Sequence, residues 1–183
     1  MAPQANDIFQ KEKLLKRFIR QVGEPSSRER QHREEPEAGD DDHLVTAAGG
    51  LPGEVAKGWR VKNPNTFDLE FGFSCMGYEI AGGWGARIAQ AEVEPEADTV
   101  VFTGDGSYLL MNSDIYSTVM TGHKVIFIIC DNGGFAVINR LQVNTGGEEF
   151  NNLLRTARHE RLLTVDFAKH AESMGAIAEK VTT

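Results

Sequence analysis

Two glycine-bearing turns, each directly behind a run of apolar residues, constrain this chain more than any other feature. The first is Gly104-Asp105-Gly106-Ser107, which follows Thr99-Val100-Val101-Phe102. The second lies in Cys130-Asp131-Asn132-Gly133-Gly134, which follows Val125-Ile126-Phe127-Ile128-Ile129. A segment of helical character lies between them, and Asn132 stands 27 positions after Asp105. The order is strand, loop, helix, strand, loop. In a parallel sheet both loops emerge at the carboxyl ends of their strands, the edge where open α/β sheets take ligands. A carboxylate from Asp105 and an amide oxygen from Asn132 can meet there. These are hard oxygen ligands, suited to Mg²⁺ or Ca²⁺. The glycines let backbone N–H groups approach a phosphate. Either turn alone is an ordinary glycine turn. The pair, each member behind a strand, reads as a site for a metal-bound diphosphate.

The surrounding chain supports a doubly wound parallel α/β sheet with helices on both faces. Leu44-Val45-Thr46-Ala47-Ala48 reads as a strand that runs into Gly49-Gly50-Leu51-Pro52-Gly53, with a helical turn at 54–58. A second strand is expected over 66–71 and a helix over 76–91. That helix carries Gly77, Ala81, Gly82, Gly83, Gly85, Ala86 and Ala89. Glycine costs a helix about 1 kcal/mol relative to alanine, so several together predict that a strand or ligand packs very close. Further helices are expected at about 112–121 (capped by Asn112 or Ser113), up to Leu141, and at about 165–174 (capped by Thr164 or Asp166). Ile177 reads as the start of another strand.

Composition changes near residue 43. Ile8, Phe9, Leu14, Leu15, Phe18, Ile19 and Val22 recur at helical spacing with Lys and Arg opposite, predicting an amphipathic helix over 7–22. It reads as docked on the domain or a partner rather than lying on a membrane surface. Residues 23–43 are rich in Pro, Glu, Arg and Asp and read as a charged flexible linker, with Asp40-Asp41-Asp42 and His43 solvated. Domain organisation is therefore 1–43, helix and linker, and 44–183, the binding domain. A net charge of -8 argues against nucleic acid as partner. The chain start lacks a signal-peptide core and no run reaches membrane-spanning length, so no membrane is expected and the location reads as cytoplasmic. Cys75 and Cys130 read as buried, reduced thiols rather than a disulfide. None of the five histidines has metal-ligand spacing with another.

The Gly104-Asp105-Gly106 turn with Asn132, together with segments 46–54, 70–83, 111–118, 132–142 and 166–175, resembles the thiamine-diphosphate-dependent enzymes of the acetolactate-synthase-like superfamily. The likeness is to their C-terminal diphosphate-binding domain. It is most specific to the branch that opens a cyclic diketone by C–C bond hydrolysis in inositol catabolism, and it runs from about 44 to about 180. The resemblance implies thiamine diphosphate and Mg²⁺ as cofactors. It implies Asp105, the Asn132 side chain and the Gly134 carbonyl as metal ligands. Gly104, Gly106 and Ser107 would hold the diphosphate, Met76 would sit under the bent cofactor, the Ser74 carbonyl would accept from its aminopyrimidine, and Gly49 and Gly50 would line the thiazolium side.

In such enzymes a second domain, usually from another subunit, supplies the glutamate that switches the cofactor on. A domain of that kind needs ~150 residues. Only 43 residues precede the match and they do not resemble it. The resemblance therefore implies no catalytic residue within this chain, a pyrimidine-binding domain or subunit supplied by another chain, and a homo- or hetero-oligomer. The binding domain itself reads as truncated at its C-terminus. The alternatives are a non-catalytic remnant or binding module that pairs with a full-length relative, an acetolactate-synthase-like decarboxylase or transferase subunit, and an unrelated nucleotide-binding α/β protein. Against the last, the G-x-G-x-x-G nicotinamide fingerprint is missing from the first strand turn.

Overall fold

The computed structural model describes residues 41–181. The helix expected over 7–22 and nearly all of the 23–43 linker lie outside the described residues. Four parallel strands form one sheet in the order β2-β1-β3-β4: β1 His43–Thr46, β2 Phe67–Leu69, β3 Thr99–Gly104 and β4 Ile126–Cys130. Six helices accompany them: α1 Gly50–Gly58, α2 Tyr78–Val93, α3 Asp105–Leu110, α4 Asp114–Met120, α5 Ala136–Asn144 and α6 Phe167–Ser173.

The strands β3 and β4 are continuous apolar or β-branched runs because both sheet faces are covered there. Every residue of β3 before Gly104 is buried. Successive side chains point to opposite faces. Val100, Phe102 and Ile128 join Leu44 and Val55 on one face, with Leu51 and Trp59 of the α1 region packed against them. Phe127 and Ile129 pack on the other face with Ile80 of α2, Tyr108 of α3, Ile115 of α4 and Phe167 of α6. Tyr108 also ties α3 to α6: its hydroxyl lies 2.8 Å from His170 Nδ1, and its ring meets Phe167 edge-on at 5.3 Å.

The glycines of α2 do what their number predicts. A Cβ on Gly83 would lie 2.2 Å from Val101 Cγ2, so the helix backbone rests directly on β3. Buried strand hydroxyls are paired, as burial demands. Thr46 Oγ1 donates to the Phe102 carbonyl at 2.9 Å, and Thr99 Oγ1 donates to Gln90 Oε1 at 2.7 Å.

Several local expectations differ from the structure. Gly104-Asp105-Gly106-Ser107 is a strand end passing straight into a helix, because Tyr108 on that helix fills the core and tertiary packing overrides glycine's poor propensity. The α2 helix starts at Tyr78, leaving Met76 in the turn before it. Ser113 occupies the α4 N-cap position without a side-chain cap bond, whereas Asp166 does cap α6, accepting from Lys169 N–H. His43 belongs to β1, not to a solvated linker, and its Nε2 lies 3.5 Å from Asp68. Asp41 and Asp42 are also engaged: Asn63 Nδ2 donates to Asp41 at 2.6 Å and the Asp98 N–H donates to Asp42 at 2.8 Å. Cys75 is exposed rather than buried, because it lies in the loop after β2 and not in a helix; Cys130 is half-buried at the end of β4. Residues 176–181 find no strand partner among the described residues, so no strand forms at Ile177.

Candidate functional site

Segments leaving β1, β3 and β4 share the carboxyl edge of the sheet, and α5 packs over them. They enclose an open cleft of about 330 Å³. Gly49, Gly50, Met76, Gly104, Gly106, Ser107, Asn132 and Gly134 all line it. Two of the expected site residues do not. Asp105 lies behind the lining, between Gly104 and Gly106, and is 4 % exposed. Ser74 lies in the exposed 70–77 loop with a left-handed φ of 52°, and its carbonyl accepts the Met76 N–H at 2.9 Å.

Asp105 joins the two turns. Its Oδ1 accepts the Asn132 N–H at 3.3 Å and its Oδ2 accepts the Gly134 N–H at 2.7 Å. Burial pushes its carboxyl above the usual carboxylate range; those two N–H groups act the other way, and the nearby Asp131 charge adds to the rise. The Cys130 thiol is pushed up by burial and then by the Asp105 charge. The Asn132 side chain makes no hydrogen bond among the described residues and faces the cleft. Gly106 and Ser107 sit in the first turn of α3, where N–H groups have no intrahelical acceptor. Glycine is required at two of these positions. A Cβ on Gly106 would lie 2.5 Å from Phe135 Cε1, and one on Gly134, at φ 132°, would lie 2.5 Å from the Asn152 carbonyl oxygen.

Three features were not read from the sequence. The 152–154 segment returns across the 131–135 loop: Phe135 N–H donates to the Asn152 carbonyl at 2.7 Å, and Leu154 N–H to the Gly133 carbonyl at 2.8 Å. Nothing in that polar, glycine-containing run signals it. Glu79 also lines the cleft while only 1 % exposed. Its Oε2 accepts the Gly77 N–H at 2.9 Å and its Oε1 accepts the Thr103 hydroxyl at 2.7 Å. The available signal was an acidic residue standing among small and apolar helix neighbours. Arg140 of α5 lines the opposite wall, beside Gly50.

The donor set fits a divalent cation shared with a phosphate ligand. Asp105 is a buried carboxylate with no cationic partner among the described residues, a condition that ordinarily calls for pairing or metal coordination. No group of three His, Cys, Asp or Glu side chains could hold a metal alone among the described residues. A hard cation here would draw on carboxylate, amide and carbonyl oxygens, completed by the ligand's own oxygens. No helix among the described residues is long and apolar enough to cross a membrane.

Comparison with known proteins gives the family and the fold. The chain is 39% identical over 143 residues to the 3D-(3,5/4)-trihydroxycyclohexane-1,2-dione hydrolase of Halalkalibacterium halodurans, covering 78% of this chain and 22% of that protein. It is 38% identical over 150 residues to the enzyme of the same name from Geobacillus thermodenitrificans, covering 79% and 23%. The chain thus spans less than a quarter of the length of these relatives. Two solved structures share the fold. Benzoylformate decarboxylase from Polynucleobacter necessarius matches with a TM-score of 0.65 at 18% identity, over 76% of this chain and 25% of that one. The thiamine diphosphate-dependent 4-hydroxybenzoylformate decarboxylase of Rhodococcus jostii RHA1 matches with a TM-score of 0.63 at 20% identity, over 80% and 25%. Residues 47–183 match the family model described as thiamine pyrophosphate enzyme, C-terminal TPP binding domain, and with a cleft built on the Asp105 and Asn132 turns the chain belongs to that family.

Proposed function

We propose that this chain is the Mg²⁺- and diphosphate-binding half of a thiamine-diphosphate-dependent active site that hydrolyses a C–C bond of a cyclic 1,2-dione. The observation that carries the reading is Asp105, a buried carboxylate bonded to both Asn132 and Gly134 N–H groups at the cleft edge. The substrate class rests on the likeness to the dione hydrolases.

Asp105, the Asn132 amide oxygen and the Gly134 carbonyl would hold Mg²⁺, and Gly104, Gly106 and Ser107 would hold the diphosphate by backbone N–H and hydroxyl groups. When bound, the thiazolium ring supplies a carbon nucleophile for a carbonyl of the substrate. Met76, on the cleft wall just before α2, would support the bent cofactor. Gly49 and Gly50 would leave room for the ring. The Ser74 carbonyl, with a second lone pair beside the one that takes the Met76 N–H, would accept from the aminopyrimidine.

The pyrimidine-binding wall and its activating glutamate would come from another chain, within a cytoplasmic homo- or hetero-oligomer. The isolated chain is therefore expected to bind the cofactor weakly and not to turn over, because half of the site is open to water. Calorimetry with thiamine diphosphate, with and without Mg²⁺, tests the binding reading; Mg²⁺-independent or absent binding would sink it. Ring opening of the cyclic dione by the purified chain alone, at saturating cofactor, would overturn the need for a second chain. Ring opening only after mixing with a protein carrying the pyrimidine-binding domain would separate this reading from a non-catalytic module.

A further inference from the structure

We propose that Glu79 is the fixed counter-charge for a cationic ring in the cleft, and so sets the preference of this site for a cationic over a neutral ring. The proposal rests on the thiamine-diphosphate reading above, whose thiazolium is the cation concerned.

Glu79 is the second carboxylate buried at this cleft, and it has no assigned role. It is 1 % exposed, yet it lines the cleft. Its hydrogen bonds come from neutral donors, the Gly77 N–H and the Thr103 hydroxyl. No Lys, Arg or His forms an ion pair with it among the described residues. Arg140, the cationic side chain on the cleft wall, is not paired with it. A buried carboxylate without a cation is unfavourable relative to a leucine or methionine of similar volume, which carries no such penalty. Its retention is explained if the missing cation arrives with the ligand.

Position selects which cation. The Gly77 bond anchors the carboxylate to the turn carrying Met76, and the Thr103 bond anchors it to the end of β3. The proposed metal oxygens, by contrast, gather around the 131–134 turn and Asp105. With the diphosphate held at Gly104 and Gly106 and the ring supported by Met76, as proposed above, the ring would lie toward the wall that Met76 and Glu79 share. A negative charge there stabilises a positive ring.

The experiment measures dissociation constants with the purified chain at saturating Mg²⁺ for three probes. These are thiamine diphosphate, its isostere in which carbon replaces the positively charged ring nitrogen, and inorganic diphosphate. Glu79→Gln removes the charge while keeping an acceptor for Gly77 N–H and a partner for Thr103. The preference for the cationic over the neutral ring should fall by roughly tenfold in that variant. Inorganic diphosphate should bind both proteins alike. An unchanged preference overturns the proposal. Equal weakening of all three probes assigns the charge to the metal and also overturns it. Should the variant not fold, the parent protein decides alone: it must bind the cationic ring more tightly than the neutral one, and equal or reversed affinities reject the proposal. A parent that binds inorganic diphosphate but neither ring compound refutes the cofactor reading itself, an outcome distinct from the other three.

Discussion

The two loops that flank the cleft are built in opposite ways. The 131–135 loop is tied from two directions, by the Asp105 carboxylate and by the backbone of the 152–154 segment. The 70–77 loop is held largely from within by one side chain. Glu70 accepts the Phe73 N–H at 2.9 Å and the Cys75 N–H at 2.6 Å. That loop leaves Phe71 and Phe73 68% and 91% exposed. The contrast teaches that the chain is pre-organised where a diphosphate would sit. Where the organic part of the ligand is proposed to sit, the chain leaves apolar side chains on its surface.

The comparison is broken most decisively at Asp105. Asp105→Ala removes both ties to the 131–135 loop and the proposed metal carboxylate. Mg²⁺-dependent binding of thiamine diphosphate should be abolished, exceeding the ~10–100-fold loss typical of outer-sphere partners. Asn132→Ala should cost less, since its backbone tie to Asp105 survives. Calorimetry at parental affinity for the Asp105 variant would remove the site assignment.

Gly134→Ala tests the pre-organisation itself. Its Cβ would lie 2.5 Å from the Asn152 carbonyl oxygen at a φ of 132°. A cost of about 1–3 kcal/mol is expected for a strained backbone position, read as a lowered Tm together with loss of diphosphate binding. A variant of unchanged Tm that still binds would show the 152–154 segment to be freely movable.

Glu70→Ala acts on the other loop and should be milder. Freeing the Phe73 and Cys75 N–H groups should speed alkylation of the exposed Cys75 and weaken thiamine diphosphate severalfold. Inorganic diphosphate should be unaffected. Equal weakening of both ligands would mean the two loops are not independent.

The smallest effect is one of pH. Burial holds the Asp105 carboxyl above the usual range. A raised folded-state pKa stabilises the fold below the unfolded carboxyl's pKa, and that contribution is lost as pH rises through the folded value. Mg²⁺ competes for the same group, because a carboxylate ligand must be deprotonated. The gain in Tm from Mg²⁺ plus cofactor should therefore be greatest at neutral pH and shrink as pH falls through the titration of Asp105. Thermal scans in which the gain grows on acidification would contradict this.

How much of this was legible in the sequence depended on whether the signal was local. The Asp105 and Asn132 turns were legible because each stands directly behind an apolar strand, so topology alone brings them to one edge. The α2 glycines were legible because their helix penalty needs a packing reason, and Val101 against Gly83 is that reason. Asp105–Leu110 was not legible as a helix, since Gly-Asp-Gly favours a turn until Tyr108 is packed against Phe167. Glu79 was hidden for a related cause. An acidic residue in a helix reads as solvent-facing unless the neighbouring strand end is known to bring Thr103 to it. The 152–154 segment has no periodicity, and its register is set by non-local partners, Gly133, Phe135 and Gln142.

The parallel strand order has a consequence for how the site assembles in time. Asp105 and Asn132 are 27 residues apart, whereas Thr46 of β1 meets Phe102 of β3 across 56. Doubling a loop raises its closure cost by about 0.6 kcal/mol, a bias of roughly threefold. The β3–β4 unit, which carries the Asp105 and Asn132 turns, should therefore close ahead of the β1–β3 pairing that brings Gly49 and Gly50 beside it. A partly folded chain would then capture Mg²⁺ and a diphosphate before it had any wall for a ring. Pulsed hydrogen exchange during refolding should show β3–β4 amides protected before the His43 N–H, which donates to the Asp98 carbonyl at 2.8 Å; simultaneous protection would mean the sheet closes in one step.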